Sequence, residues 1–224
     1  MGPSAPSNTS LIATDILVRP RREKRPRTKQ ALEASADTSS SSTLFFAEFF
    51  AGEAGLTSAM QDLGVTCRGA DELANGGTNF ADPGQVEQLK AELRDLRTEG
   101  ATIALHFAPP CATFSRARDR ASATQLRSSA HPEGLPDLDA DRRSLAEEAN
   151  RVALQAFDLA TWAARDLSAI VSFENPATSY MWGFLEMLRP AVKATWVDLT
   201  LSQCMFGTQY RKDLPSSRRK GDRS

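Results

Sequence analysis

A chain of 224 residues, 41% hydrophobic and with a formal net charge of −1, is long enough for one sizeable domain and carries no global excess of charge. That balance excludes a polycation that holds nucleic acid along its whole surface, so any basic contact surface must be local. Three widely separated cysteines (Cys67, Cys111 and Cys204) and two histidines argue against a disulfide framework and against a Cys/His metal centre. No apolar run approaches the ~20 residues that span a bilayer, and the polar start lacks a signal core. The chain reads as a soluble protein of a reducing, intracellular compartment.

Residues 1–42 differ in composition from the rest. They combine Pro, Ser and Thr with the basic run Arg19–Lys29 and close on "SADTSSSST". Such a segment buries too little apolar surface to offset its ordering entropy, and it is expected to be a disordered tail. The basic run suits a nuclear localisation signal, a nucleic-acid arm or a plain solvated tail. Residues 43–214 are expected to form the folded domain, and the basic stretch 215–224 a second disordered end.

From Leu44 the patterns alternate. "LFFAEFF" reads as a buried strand and "GLTSAMQDLG" as a helix stopped by Gly64. "VTCRGA" is strand-like. In "PGQVEQLKAELRDLRTEG", Val86, Leu89, Leu93 and Leu96 recur at helical steps. "TIALHF" is a strand, residues 142–167 a long amphipathic helix, "AIVSF" a strand, "SYMWGFLEML" a helix and "TWVDLTL" a strand. The order predicts an α/β domain, with a mostly parallel sheet and helices on both faces. Residues 116–141 break the short-loop rule, and are expected to be a mobile functional loop or a surface insertion.

Ligands of open α/β sheets bind beyond the carboxyl ends of the strands. "FFAGEAG" follows the first strand, with Gly52 and Gly55 suited to a tight turn. Asp71 and Glu72 follow the second, placed for a ribose diol or simply solvated. "APPCATFS" follows the third. Paired prolines fix the position of Cys111, either as a nucleophile or as a packed thiol. "ENP" follows the fourth, and puts Glu174 in a turn enforced by Pro176, where a partly desolvated carboxyl suits general-acid work.

In this order, "EFFAGEAG", "PPCATFS", "ENP" and "CMFGTQYRK" resemble the motifs of the DNA cytosine-5 methyltransferases, over Phe45 to about Lys212. The resemblance implies a Rossmann-like sheet that binds S-adenosylmethionine. Phe50, Gly52, Gly55 and Pro109 would shape the cofactor pocket, Asp71 or Glu72 take the ribose hydroxyls, and Asn79 and Phe80 lie near the adenine. It implies that Cys111 adds to C6 of a flipped cytosine in DNA, or less readily in RNA. Glu174 would act at N3 and Asn175 would position the Glu174 loop. Ser115, Arg116, Arg118 and Arg120 at the start of the insert, with Arg211 and Lys212 near the end, would contact the substrate. The motif order leaves no target-recognition region in these residues, which implies a separate recognition subunit or region. The alternative is a non-catalytic module that keeps the fold and binds cofactor or nucleic acid.

Overall fold

The computed structural model describes residues 13–18, 43–68 and 77–202. The elements are β1 (Ala13–Val18), β2 (Leu44–Phe49), α1 (Gly55–Asp62), β3 (Thr66–Cys67), α2 (Pro83–Thr98), β4 (Thr102–Phe107), α3 (Ala140–Asp166), β5 (Ile170–Pro176), α4 (Tyr180–Leu188), α5 (Pro190–Lys193) and β6 (Val197–Ser202). Two 3-10 turns, Ala112–Phe114 and Arg116–Arg120, follow β4. The sheet runs β3-β2-β4-β5-β1-β6. Its first four strands are mutually parallel, whereas β1 lies antiparallel to both β5 and β6. The α/β class read from the sequence is therefore the observed one.

Strand alternation divides the sheet into two faces. Ala47, Phe49, Ile103, Leu105, Phe107, Val171 and Phe173 form one cluster with Leu89 and Leu93 of α2, Phe157 and Leu159 of α3, and Phe184 and Leu185 of α4. Fully burying one of these large side chains stabilises the fold by about 1.5–3 kcal/mol. The opposite face carries α1, tied to β2 through Glu48. That buried carboxylate accepts from both the backbone N–H and the hydroxyl of Thr57, each at 2.7 Å.

The helices begin where their sequences dictate. Asp82 caps α2 by accepting from Gly84 N–H at 2.8 Å, with Pro83 in the first turn. Asp139 caps α3 through Arg142 N–H at 2.9 Å. On α3 the small residues Ala153, Ala156, Ala160 and Ala163 are buried in the main core, which lets the long helix approach the sheet closely.

Strand β1 corrects the sequence reading of the N-terminal segment. Ala13–Val18 lies inside the span expected to be a disordered tail, yet it pairs with β5 on one side and β6 on the other. The composition of the whole segment hid "ATDILV", a six-residue run rich enough in aliphatic residues to enter a sheet. The basic run Arg19–Lys29 and the basic C-terminal end lie outside the described residues.

Candidate active site

The chain passes from β2 through α1 to β3 on one side, then returns through α2 to β4 on the other side of β2. The strand order thus reverses between β2 and β4, the crevice where open α/β sheets take ligands. Two turns leave the carboxyl ends of these strands.

The turn after β2 is a sequence of left-handed residues. Phe50 (φ 61°), Gly52 (φ 54°) and Ala54 (φ 54°) all occupy the region that favours glycine. The Ala54 N–H donates to the Ala51 carbonyl at 2.7 Å, which closes the turn into α1. A Cβ added at Gly52 or Gly55 would meet nothing within 4 Å, so the backbone there lies open to a ligand's close approach. Phe50 packs at a tilt on Phe80 with ring centroids 4.7 Å apart, and Phe80 also packs edge-on to Phe49 and Phe107. Phe80 is only 2% exposed and so belongs to the floor of this region. Asn79 is held locally, with its side-chain oxygen accepting from Ala81 N–H at 2.9 Å. Asp71, Glu72, Arg211 and Lys212 lie outside the described residues.

The turn after β4 carries half-buried Cys111 at the head of the first 3-10 turn. Three contacts fix it. Asn175 Nδ2 donates to the Pro109 carbonyl at 2.9 Å. Phe114, fully buried, packs against Phe184. Arg127 lays its guanidinium 3.7 Å from the Phe114 ring centre and donates through Nε to the Thr113 carbonyl at 3.0 Å. Glu174 and Asn175 lie within β5, opposite Ile16 and Asp15 of β1, rather than in the turn expected before Pro176, because the strand continues through Pro176. The Asn175–Pro109 bond links this strand end to the Cys111 turn. Behind Glu174, His106 Nε2 lies 3.4 Å from Glu174 Oε2.

The insert after Cys111 is built rather than loose, a result that polarity and missing periodicity did not foretell. Arg127, 1% exposed, donates to the carbonyls of Thr113, Pro132 and Ala146 and to Asn150 Oδ1. Burial lowers its pKa to about 10, so it stays protonated at neutral pH. Leu126, Leu138 and Ala146 form a small second core around it. Sequence reasoning missed Arg127; its only signal was an arginine beside a leucine in a polar segment.

The expected substrate residues are partly engaged within the protein. Ser115 Oγ accepts from Ala117 N–H at 3.2 Å. Arg116 donates to the Thr178 carbonyl at 2.9 Å and stacks over Tyr180, whose hydroxyl donates to Asp119 at 2.7 Å. Arg118 donates to the Thr124 carbonyl at 2.9 Å. Arg116 and Arg120 remain exposed.

A cavity of about 260 Å³ opens between this turn and α3, lined by Pro109, Pro110, Ala112, Thr113, Leu145 and Val152 among others. Of the described residues expected to hold a cofactor, only Pro109 lines it. Leu145 and Val152 gave no sign in the sequence beyond helical spacing. Among the described residues no group of three His, Cys, Asp or Glu side chains is placed to hold a metal ion. No helix among them is long and apolar enough to cross a membrane. Compared with known protein families, curated proteins and solved structures, the chain finds no match.

Proposed function

We propose that this chain is a methyltransferase of the Rossmann-like class that modifies C5 of cytosine in DNA, with S-adenosylmethionine as cofactor. The observation that supports the reading most is the Asn175–Pro109 hydrogen bond of 2.9 Å. It couples the Cys111 turn, which follows β4, to the carboxyl-terminal end of β5, the adjacent parallel strand that carries Glu174. A thiol just after β4 and a carboxyl near the end of β5 are the two groups that addition to a pyrimidine needs: a soft nucleophile for C6 and an acid for N3.

The open backbone at Gly52 and Gly55 fits the cofactor, because nothing within 4 Å blocks approach to either position. Phe50 and Pro109 would flank it, and the cavity along Leu145 and Val152 would take its apolar part. When bound, S-adenosylmethionine supplies an electrophilic methyl group. The protein's own residues do the rest. The Cys111 thiolate forms a bond to C6 of a cytosine turned out of the helix, which moves an electron pair towards C5. Glu174 holds a proton or hydrogen bond at N3, where the added charge is delocalised. Once C5 carries the methyl group, loss of its proton would restore the C5–C6 double bond and expel Cys111. Asn175 keeps the Cys111 turn in register with β5 throughout. Exposed Arg116 and Arg120 suit backbone phosphates, and the basic run Arg19–Lys29 suits a nuclear address.

The test is transfer of labelled methyl groups from S-adenosylmethionine to duplex DNA. Counts in 5-methylcytosine that vanish in Cys111→Ala, while the variant keeps its fold, support the reading. Counts retained in Cys111→Ala remove the thiol from the reaction. Absence of counts in the wild-type chain favours a binding module.

A further inference from the structure

The edge that carries Glu174 holds a second layer of chemistry that the methyl-transfer reading does not use. His106 of β4 and Ser172 of β5 are register partners, and His106 Nδ1 lies 2.7 Å from Ser172 Oγ. The other ring nitrogen, Nε2, lies 3.4 Å from Glu174 Oε2. Both residues share the sheet face opposite the main core, because Glu174 follows Ser172 by two residues along the strand. His106 is only 8% exposed, whereas the Glu174 side chain is 30% exposed. The ring therefore sits behind the carboxylate, on the side away from solvent. On β2 the register partner of His106 is Glu48, whose carboxylate is already taken by Thr57.

Hydrogen-bond capacity assigns the ring. While Glu174 is ionised its oxygens only accept, so the ring nitrogen facing it then carries the proton. Nδ1 is then bare and accepts from the Ser172 hydroxyl. We propose that His106 is a positioning residue for Glu174: its Nε2–H holds one carboxylate oxygen and leaves the other directed to the substrate, while Ser172 fixes the tautomer. This rests on the methyl-transfer reading for its catalytic meaning. The separation of 3.4 Å is long for a hydrogen bond, as expected of a catalytic contact that tightens when substrate binds. Displacing a catalytic group by about 1 Å costs on the order of 100-fold in rate, which sets the scale of the effect.

The chain has two histidines, so the ring signals are easily separated. In the full chain carrying His131→Gln, the ring-nitrogen resonances of His106 are recorded by NMR, then again with Glu174→Ala or Ser172→Ala added. The proposal predicts a proton on Nε2. It predicts that Glu174→Ala moves the Nε2 signal and that Ser172→Ala moves Nδ1. A proton on Nδ1, or an Nε2 signal indifferent to Glu174, overturns it. In parallel, the rate of covalent adduct formation with 5-fluorocytosine DNA should fall about 10–100-fold in His106→Ala. His106→Gln, whose amide can donate to the same oxygen, should recover part of that loss. An equal loss in both variants, with the fold intact, overturns the positioning role. If the wild-type chain forms no adduct, the methyl-transfer reading fails and the catalytic role fails with it. The ring-nitrogen spectra still decide whether His106 holds Glu174.

Discussion

Asn175 and Pro109 are 66 residues apart in sequence, yet the Asn175 amide donates to the Pro109 carbonyl at 2.9 Å in a buried setting. The bond fixes where Cys111 stands relative to Glu174, because each lies one or two residues from it. Asn175→Ala leaves a buried carbonyl without its donor, at a cost of about 1–3 kcal/mol. Methyl transfer should fall further than that loss of stability accounts for, since the Cys111 turn loses its register with β5. Urea unfolding alongside the transfer assay separates the two effects. A variant with full transfer per folded molecule contradicts the coupling.

Arg127 ties the insert to the Cys111 turn. Arg127→Met strands the carbonyls of Thr113, Pro132 and Ala146, and is expected to destabilise by about 3 kcal/mol or more. The sign of its pH dependence follows from burial, which lowers the folded pKa to about 10. The native state thus releases its proton before the unfolded chain does, so this group's contribution rises with pH above about 10 and is flat through neutrality. Denaturant midpoints of wild type and Arg127→Met should differ by the same amount at pH 6 and pH 8. A difference that changes across that interval contradicts the assignment.

The turn into α1 holds Ala54 at φ 54°, a strain of about 1–2 kcal/mol for a residue with a Cβ. Ala54→Gly relieves it, against about 0.4–1 kcal/mol of added unfolded-state entropy. The variant should be neutral to about 1 kcal/mol more stable by chemical denaturation. Clear destabilisation contradicts the described turn geometry.

Most of the fold was legible because hydrophobic period and glycine stops agree in this chain. The spacing of Val86, Leu89 and Leu93 gave α2, and "TIALHF" gave β4 over the expected residues. What failed did so for physical reasons. A six-residue strand in a polar segment is outvoted by its surroundings, so β1 was missed. The insert is organised by one buried guanidinium, a device with no periodicity. At the site, the strand-end rule pointed to Cys111, Glu174 and Asn175. The structure ties Asn175 to the Cys111 turn through Pro109, and it keeps Glu174 in β5 because pairing with β1 carries the strand through Pro176. His106 was not singled out, because its relation to Glu174 arises from strand register across β4 and β5 rather than from spacing along the chain.

The position of β1 makes a prediction about the N-terminal segment. Among the described strands, β6 reaches the sheet through β1 alone. Removing residues 1–18 therefore leaves β6 with no sheet neighbour and exposes an edge of β5. The truncated chain should melt about 10 °C lower or more, at about 2–4 °C per kcal/mol for a domain of this size. An unchanged melting temperature shows that residues 13–18 contribute nothing to the sheet.

The central claim is that Cys111 bonds to cytosine with Glu174 beside it, and one measurement bears on it most directly. The purified chain is incubated with S-adenosylmethionine and duplex DNA containing 5-fluorocytosine, whose fluorine blocks the final elimination, and then denatured and analysed by intact mass spectrometry. The account predicts a protein–DNA adduct mapped to Cys111, absent in Cys111→Ala and strongly reduced in Glu174→Gln. An adduct mapped to another residue, or none from a folded wild-type chain alongside a working control enzyme, contradicts it.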